Sequence, residues 1–240
     1  MRRGEARIGT SGWQYQHWKG LFYPEGLPVS RWFAFYAERY DTVEINNSFY
    51  RLPEAATFEA WRRQAPPGFL YAVKYSRYAT HMKKLKDPGE SLSLFLERAE
   101  RLESCLGPIL VQLPPRWKAN PARLEAFLEA APKRHRWTIE VRDPSWLRED
   151  VMALLHRHEA ALCVHDLLPD HPWRVTAPWV YVRFHGTNYG GTYPPERLRE
   201  WADRLRGCLD DGLDVYAYFN NDWHGYALPN ATDLRRCLLE

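Results

Sequence analysis

The chain has 240 residues, 45% of them hydrophobic, enough to bury a large core as one large domain or two small ones. Its 33 Lys and Arg against 30 Asp and Glu leave a formal charge of +3, too even to imply nucleic acid from bulk electrostatics, so any basic patch must be local. The charged start MRRGEARIGTSGW has no apolar run behind it, and no stretch reaches the roughly eighteen uncharged apolar residues of a membrane helix, so a soluble, cytoplasmic protein is expected.

Cys105, Cys163, Cys208 and Cys237 lack CxxC spacing and any zinc-type Cys/His pattern, and read as reduced thiols. Aromatic residues make up 15% of the chain, with 11 Trp, more than packing alone requires, so some rings are expected to face a ligand.

Arg7 to Thr10 predicts a first strand, which runs into a polar aromatic loop carrying Trp13, Tyr15, His17 and Trp18. A helix is expected from Ser30 to Tyr40, capped by Ser30. Thr42 to Ile45 is a β-branched strand that stops in the turn Asn46-Asn47-Ser48; Thr42, Glu44 and Asn46 share one face, Val43 and Ile45 the other. Thr57 is placed as the cap of a short helix that Pro66-Pro67-Gly68 ends, and Phe69 to Ser76 is an apolar strand carrying Lys74.

The basic loop from Arg77 to Lys86 follows, better read as a solvated face than as a phosphate site. A helix from Ser91 is expected to close at Gly107, ahead of a strand from Ile109 to Leu113 that includes Gln112. Asn120-Pro121 supplies a cap and a first-turn proline for the next helix. Trp137 to Arg142 repeats the earlier pattern, with Thr138, Glu140 and Arg142 on one face. Asp143-Pro144-Ser145 starts a helix, Ala161 to Asp166 is the sixth strand, and the link after it contains no convincing helix. Val180 to His185 is the seventh strand, with Tyr181, Arg183 and His185 on one face, and it opens into the Gly-rich turn GTNYGGTYPP. A helix from Pro195 to Leu209, a strand from Asp214 to Phe219 ending at Asn220, and a last helix capped by Asn230 complete the chain.

Alternation of strands and helices predicts a single α/β domain over residues 1–240, a (β/α)8 TIM-type barrel whose helix after strand six is weak or missing. A doubly wound dinucleotide fold is the minor alternative, disfavoured because no GxGxxG follows the first strand. In a barrel the strand ends gather Glu44, Asn46, Lys74, Gln112, Glu140, Arg142, Asp166, Arg183, His185 and Asn220 at one mouth. Glu44, Lys74, Glu140 and Arg183 form either a working site or a mutual ion-pair plug that only fixes that mouth.

Seven segments carry a resemblance: GTSGWQYQHWKGLFYP at Gly9 to Pro24, TVEINNSFYRLP at Thr42 to Pro53, THMKKL at Thr80 to Leu85, GPILVQLPP at Gly107 to Pro115, EVRDPSW at Glu140 to Trp146, YVRFHG at Tyr181 to Gly186 and YFNND at Tyr218 to Asp222. Together they resemble the YecE-like family, the proteins of domain of unknown function 72, along nearly the whole chain and in order. The resemblance implies a TIM-type barrel and no particular activity. Asp143 departs from it, standing where relatives carry His or Asn.

Three functional readings follow. The first is an enzyme with hydrolase-like acid/base chemistry between Glu44 and Glu140 on a small polar, sugar-containing or anionic substrate; His185 is a proton carrier, and Trp13, Tyr15, Asn46, Lys74, Gln112, Arg142, Asp166, Arg183 and Asn220 bind, with no cofactor expected. The second uses Glu140, Asp166, His185 and Asp222 as metal ligands for isomerase or nuclease chemistry, opposed by three nearby cations. The third is a non-catalytic module gripping nucleic acid or a phosphorylated ligand with the Arg77 to Lys86 loop and the rings of Trp13, Tyr15, Tyr50 and Trp117.

Overall fold

Period-two alternation decides which side chains face the axis, and the computed structural model, which describes residues 2–186 and 190–239, bears it out strand by strand. Among these residues β1 (Ala6–Thr10), β2 (Thr42–Ile45), β3 (Leu70–Lys74), β4 (Leu106–Gln112), β5 (Trp137–Glu140), β6 (Ala161–His165), β7 (Trp179–Phe184) and β8 (Asp214–Phe219) run parallel in the order β1-β8-β7-β6-β5-β4-β3-β2. The seam between β1 and β2 is closed by a parallel bridge from Ser11 to Glu44 and by the Gly12 amide donating to the Glu44 carbonyl at 2.9 Å. This is the (β/α)8 barrel.

Two apolar layers result. Val43, Ile45, Val73, Val111, Ile139 and Val182 point outward and bury against the helices. Ala72, Leu110, Cys163, Trp179, Tyr181, Tyr216 and Tyr218 fill the interior in a separate cluster. Tyr218 and Thr42 share a 2.7 Å hydroxyl contact across it. The barrel interior is therefore filled below the level of Glu44, and the polar strand ends open at its upper end.

The outer shell comprises α1 (Trp32–Ala37), α2 (Asn47–Tyr50), α3 (Ala55–Gln64), α4 (Pro88–Ala99), α5 (Pro121–Ala130), α6 (Glu149–Arg157), α7 (Pro195–Asp210) and α8 (Ala227–Leu239). No helix is described between β6 and β7, as the sequence predicts. Among the described residues no helix is long and apolar enough to cross a membrane. The segment 187–189 of the expected Gly-rich turn lies outside the described residues.

Several caps differ from expectation. Ser30 lies in a 3-10 turn, Val29–Arg31, two residues before the start of that helix, and Thr57 lies within α3, whose cap position is Glu54. α1 thus begins one residue later than a Ser30 cap would give and α3 three residues earlier than a Thr57 cap would, because buried Trp32 and Phe58 set the phase. Gly107 is inside β4, not at a helix end, since a 3-10 segment, Glu100–Cys105, consumes the link after α4. Asn230 is inside α8, where its side-chain oxygen accepts from the Tyr193 backbone amide at 3.1 Å and from Asn221 Nδ2 at 2.9 Å. Asp143 starts only a 3-10 turn, accepting from the Ser145 amide at 3.0 Å, and α6 begins later. Asn120 caps α5 as expected, accepting from the Arg123 amide at 3.1 Å.

The seam also explains Gly9. A Cβ there would lie 2.4 Å from the Thr42 carbonyl oxygen, a backbone atom that cannot swing aside. Gly9→Ala is expected to cost about 1–3 kcal/mol in urea unfolding by forcing β1 from β2. An unchanged midpoint would mean the seam has slack.

Candidate active site at the barrel mouth

Strand ends set the floor. Glu44 on β2 and Glu140 on β5 are fully buried, and one guanidinium clamps both: Arg183 on β7 donates from Nη2 to Glu44 Oε1 and from Nη1 to Glu140 Oε2, each at 2.7 Å. Ser11 Oγ and Tyr181 OH each donate to Glu44 at 2.6 Å, and Arg142 Nε donates to Glu140. Burial alone would raise both acids; for Glu44 the guanidinium of Arg183 with the Ser11 and Tyr181 hydroxyls, and for Glu140 the pair Arg142 and Arg183, outweigh it and hold them below the usual carboxylate range. Two carboxylates and two guanidiniums thus balance within one buried layer.

Guanidinium nitrogens only donate, so His185 Nε2, 3.3 Å from Arg142 Nη2 and 3.2 Å from Arg183 Nη1, must accept. Its proton is then on Nδ1, facing Asp166 Oδ1 at 3.3 Å. Burial, foremost, holds this imidazole below its ordinary pKa. Asp166 also accepts from the His185 amide at 3.0 Å and from the Tyr193 hydroxyl. His185 is therefore a neutral link between an outer carboxylate and the clamp.

Lys74, at the end of β3, stands apart from this balance. The expected plug includes it, yet among the described residues its ammonium has no ion pair and no hydrogen bond; Nζ lies 4.1 Å from the centre of the Phe49 ring. Arg142 has taken its place beside Glu140. Lys74 is 7% exposed, and burial, then the charge of Arg183, brings its pKa from 10.5 to about 7. His81, in the π-helical turn Tyr78–Met82, is pushed down to about 4 by burial and by Lys74.

Above this floor lies a cavity of about 690 Å³ lined by Tyr15, His17, Asn46, Asn47, Phe49, Tyr50, Lys74, His81, Gln112, Arg142, Asn220, Asp222 and Trp223. Of the residues the sequence singles out for the site, Tyr15, Asn46, Lys74, Gln112, Arg142 and Asn220 reach it. Glu44, Glu140, Asp166, Arg183 and His185 are not in its wall. Trp13 packs instead against Phe33 and Trp61 in the outer core, and Trp117 against Trp146. Phe49 and Trp223 escape sequence reasoning because a lone ring in a short link carries no periodic signal. Ser11 and Tyr181 were findable: one follows β1 in phase with its inward face, the other stands two residues before Arg183.

The four residues proposed as metal ligands have separate partners. Glu140 is taken by guanidiniums, His185 and Asp166 by each other, and Asp222 by Trp18 Nε1 at 2.9 Å and His17 Nε2 at 2.8 Å. Among the described residues no group of three or more His, Cys, Asp or Glu is gathered as a metal ion would require.

The family described as "Protein of unknown function DUF72" matches residues 7–240. The chain belongs to the DUF72 family. It is similar to a DUF72 protein of Thermotoga maritima MSB8, with a TM-score of 0.88 and 30% identity over 98% of this chain and 100% of that one. A DUF72 protein of Enterococcus faecalis V583 shares the fold, with a TM-score of 0.83 and 20% identity over 98% and 96% of the two chains. The UPF0759 protein YunF of Bacillus subtilis (strain 168) is 23% identical over 96% of this chain and 94% of its own length. The DUF72 barrel is thus common to this chain and the Thermotoga and Enterococcus proteins, and none of the three relatives' names states a reaction.

Proposed function

We propose that the barrel mouth is the active site of an enzyme acting on a small, polar, anionic molecule such as a sugar acid or sugar phosphate, with Lys74 as the group that exchanges a proton with it. The observation that carries this reading is an amine that, among the described residues, has no ion-pair partner and lines an open cavity whose wall also presents Arg142, Asn46, Gln112 and Asn220. An amine of pKa about 7 is half protonated at neutral pH, suited to act as acid or base.

Hydrolase-like acid/base chemistry on such a substrate passes, in this reading, from the Glu44 and Glu140 pair to Lys74. A carboxylate locked by Arg183 and lying outside the cavity wall cannot reach a scissile bond; its part in this reading is to hold Arg183, whose charge, after burial, lowers the pKa of Lys74. Arg142 and the amides orient the anionic group. Tyr15, Tyr50 and Trp223 offer ring faces to a sugar. Four free cysteines fit a reducing, cytoplasmic setting.

The test is a thermal-shift panel of sugar acids, sugar phosphates and short carboxylic acids, with mass spectrometry of any that stabilise. At least one should raise Tm in the parent, and Arg142→Ala should weaken that ligand by about tenfold or more, the loss of a charge-assisted contact. A panel in which nothing raises Tm, or in which Arg142→Ala responds like the parent, contradicts the reading.

A second reading, binding of single-stranded nucleic acid, is favoured by the exposed rings of Tyr50, Tyr78 and Trp223 at 78%, 54% and 65% exposure, with Lys83 Nζ 5.8 Å from the Tyr78 ring. It predicts retention of oligonucleotides that falls steeply with salt and is lost on Lys83→Glu with Lys84→Glu. Salt-indifferent behaviour contradicts it.

A further inference from the structure

We infer that Lys74 is an amine nucleophile, and that the cavity takes carbonyl compounds bearing an anionic group and holds them as an imine on Lys74 Nζ. The inference rests on the anionic-substrate reading above and adds the identity of the reacting bond.

Geometry supports it in three ways. Lys74 is nine-tenths buried yet lines the cavity, so its amine meets a solute rather than bulk water. The Phe49 ring beneath it, 4.1 Å from Nζ, is an apolar support that offers no acceptor to an ammonium beyond its π face. The neighbouring strands supply charges already satisfied by one another: Glu44 and Glu140 belong to Arg183 and Arg142, and none is within ion-pair distance of Nζ among the described residues. A lysine retained only for structure would be expected to hold one of those carboxylates, which lie on the strands around it.

Burial is the first cause of the low Lys74 pKa; of the charges facing it, Arg183 on β7 and Arg142 after β5 lower it further while Glu140 on β5 and Glu44 on β2 raise it, and His81 in the link after β3, itself held down to about 4, carries no charge at pH 7. The net outcome is an amine with a pKa of about 7, able to carry a free lone pair at physiological pH.

The step balances without any redox partner. The Nζ lone pair adds to the carbonyl carbon, the C=O π pair moves to oxygen, and that oxygen takes a proton to give a carbinolamine. The nitrogen, cationic after the attack, gives up one proton to leave the carbinolamine neutral; the hydroxyl takes up a second proton and leaves as water as the nitrogen lone pair forms the C=N bond, and the iminium so formed releases its remaining N–H proton to give the imine. The sum is amine plus carbonyl giving imine plus water, with protons exchanged with solvent through the open mouth. Arg142, Gln112 and Asn220 line the same space and would receive the carboxylate or phosphate of the same molecule.

Reductive trapping tests this on the intact protein. Pyruvate and, separately, glyceraldehyde 3-phosphate are incubated with it, and samples are quenched over time with borohydride for intact-mass and peptide analysis. One reduced adduct per chain is expected on Lys74, forming about tenfold faster at pH 8 than at pH 6 as the neutral fraction rises, and absent from Lys74→Arg. Adducts spread over surface lysines, or a Lys74 rate independent of pH, overturn the inference. The same two probes are followed by thermal shift in the parent and in Arg142→Ala. Stabilisation that depends on Arg142 without an adduct sinks the imine alone and leaves the anionic site standing; neither adduct nor stabilisation removes both.

Discussion

Arg183→Met is expected to lower stability by on the order of 5 kcal/mol at neutral pH, because it leaves two buried carboxylates without their shared cation. Glu44 loses a 2.7 Å bond and keeps only the Ser11 and Tyr181 hydroxyls, while Glu140 keeps Arg142. The pH dependence separates this cause from simple loss of packing. In the parent both acids are held below the usual 4.5, so their contribution is fully present above that value and is lost as pH falls through their folded pKa values. In the variant, burial of Glu44 goes largely uncompensated and its folded pKa rises above 4.5, so protonation relieves the penalty. The stability deficit, measured by urea unfolding, should therefore narrow between pH 7 and pH 4. Adding Glu44→Gln to Arg183→Met should recover part of the loss. A deficit of under about 1 kcal/mol, or one that does not change with pH, would mean that the clamp carries little of the fold.

Lys74→Met is expected to do the opposite, stabilising the fold while removing its chemistry. Burial, then Arg183, lowers the folded pKa of this lysine to about 7 from 10.5, so the folded state resists a proton that the unfolded chain keeps. The penalty is complete below pH 7 and is relieved as pH rises from 7 to 10.5. The variant should gain on the order of 2–4 kcal/mol over the parent at pH 6, with the gain shrinking steadily toward pH 10. At the same time, ligand responses at the mouth should change and any turnover should vanish. Should Lys74→Met be less stable than the parent at every pH, the ammonium would be acting as a structural cation. Stability and function would then rise and fall together instead of being opposed.

Why the barrel was legible and the working group less so follows from what a sequence pattern records. Thr42-Val43-Glu44-Ile45 and Trp137-Thr138-Ile139-Glu140 announce both a strand and the face on which each acid lies, and the structure puts both acids inside. Period-two parity therefore placed Glu44, Lys74, Glu140 and Arg183 at one level of one end. Depth is a different matter. Parity cannot say that Arg142, two residues past Glu140, folds back onto that same carboxylate, and this short contact frees Lys74 from the partner the sequence suggests for it. Nor can it say that Tyr181, from the interior layer beneath, donates its one hydroxyl to Glu44. Helix starts failed for a related reason: Ser30 and Thr57 are good caps locally, but Trp32 and Phe58 must reach the core and decide where the first turns lie.

The rim was the hardest part to read. Phe49 and Trp223 come from a one-turn helix and a 3-10 turn, elements too short to leave a period, and they line one cavity because β2 and β8 flank β1 on either side of the closure. Their chemistry matters because Phe49 supports the lysine and Trp223 walls the cavity it faces.

The most direct measurement is an NMR titration of the Lys74 side chain in protein labelled at lysine Cε, with the signal assigned by its loss in Lys74→Arg. A midpoint near pH 7, moving upward when Arg183 is replaced, is what a buried amine beside Arg183, with no ion-pair partner among the described residues, must show. A midpoint at or above 10 would mean that Lys74 is a charged, paired lysine, and the mouth would then have no neutral amine with which to act.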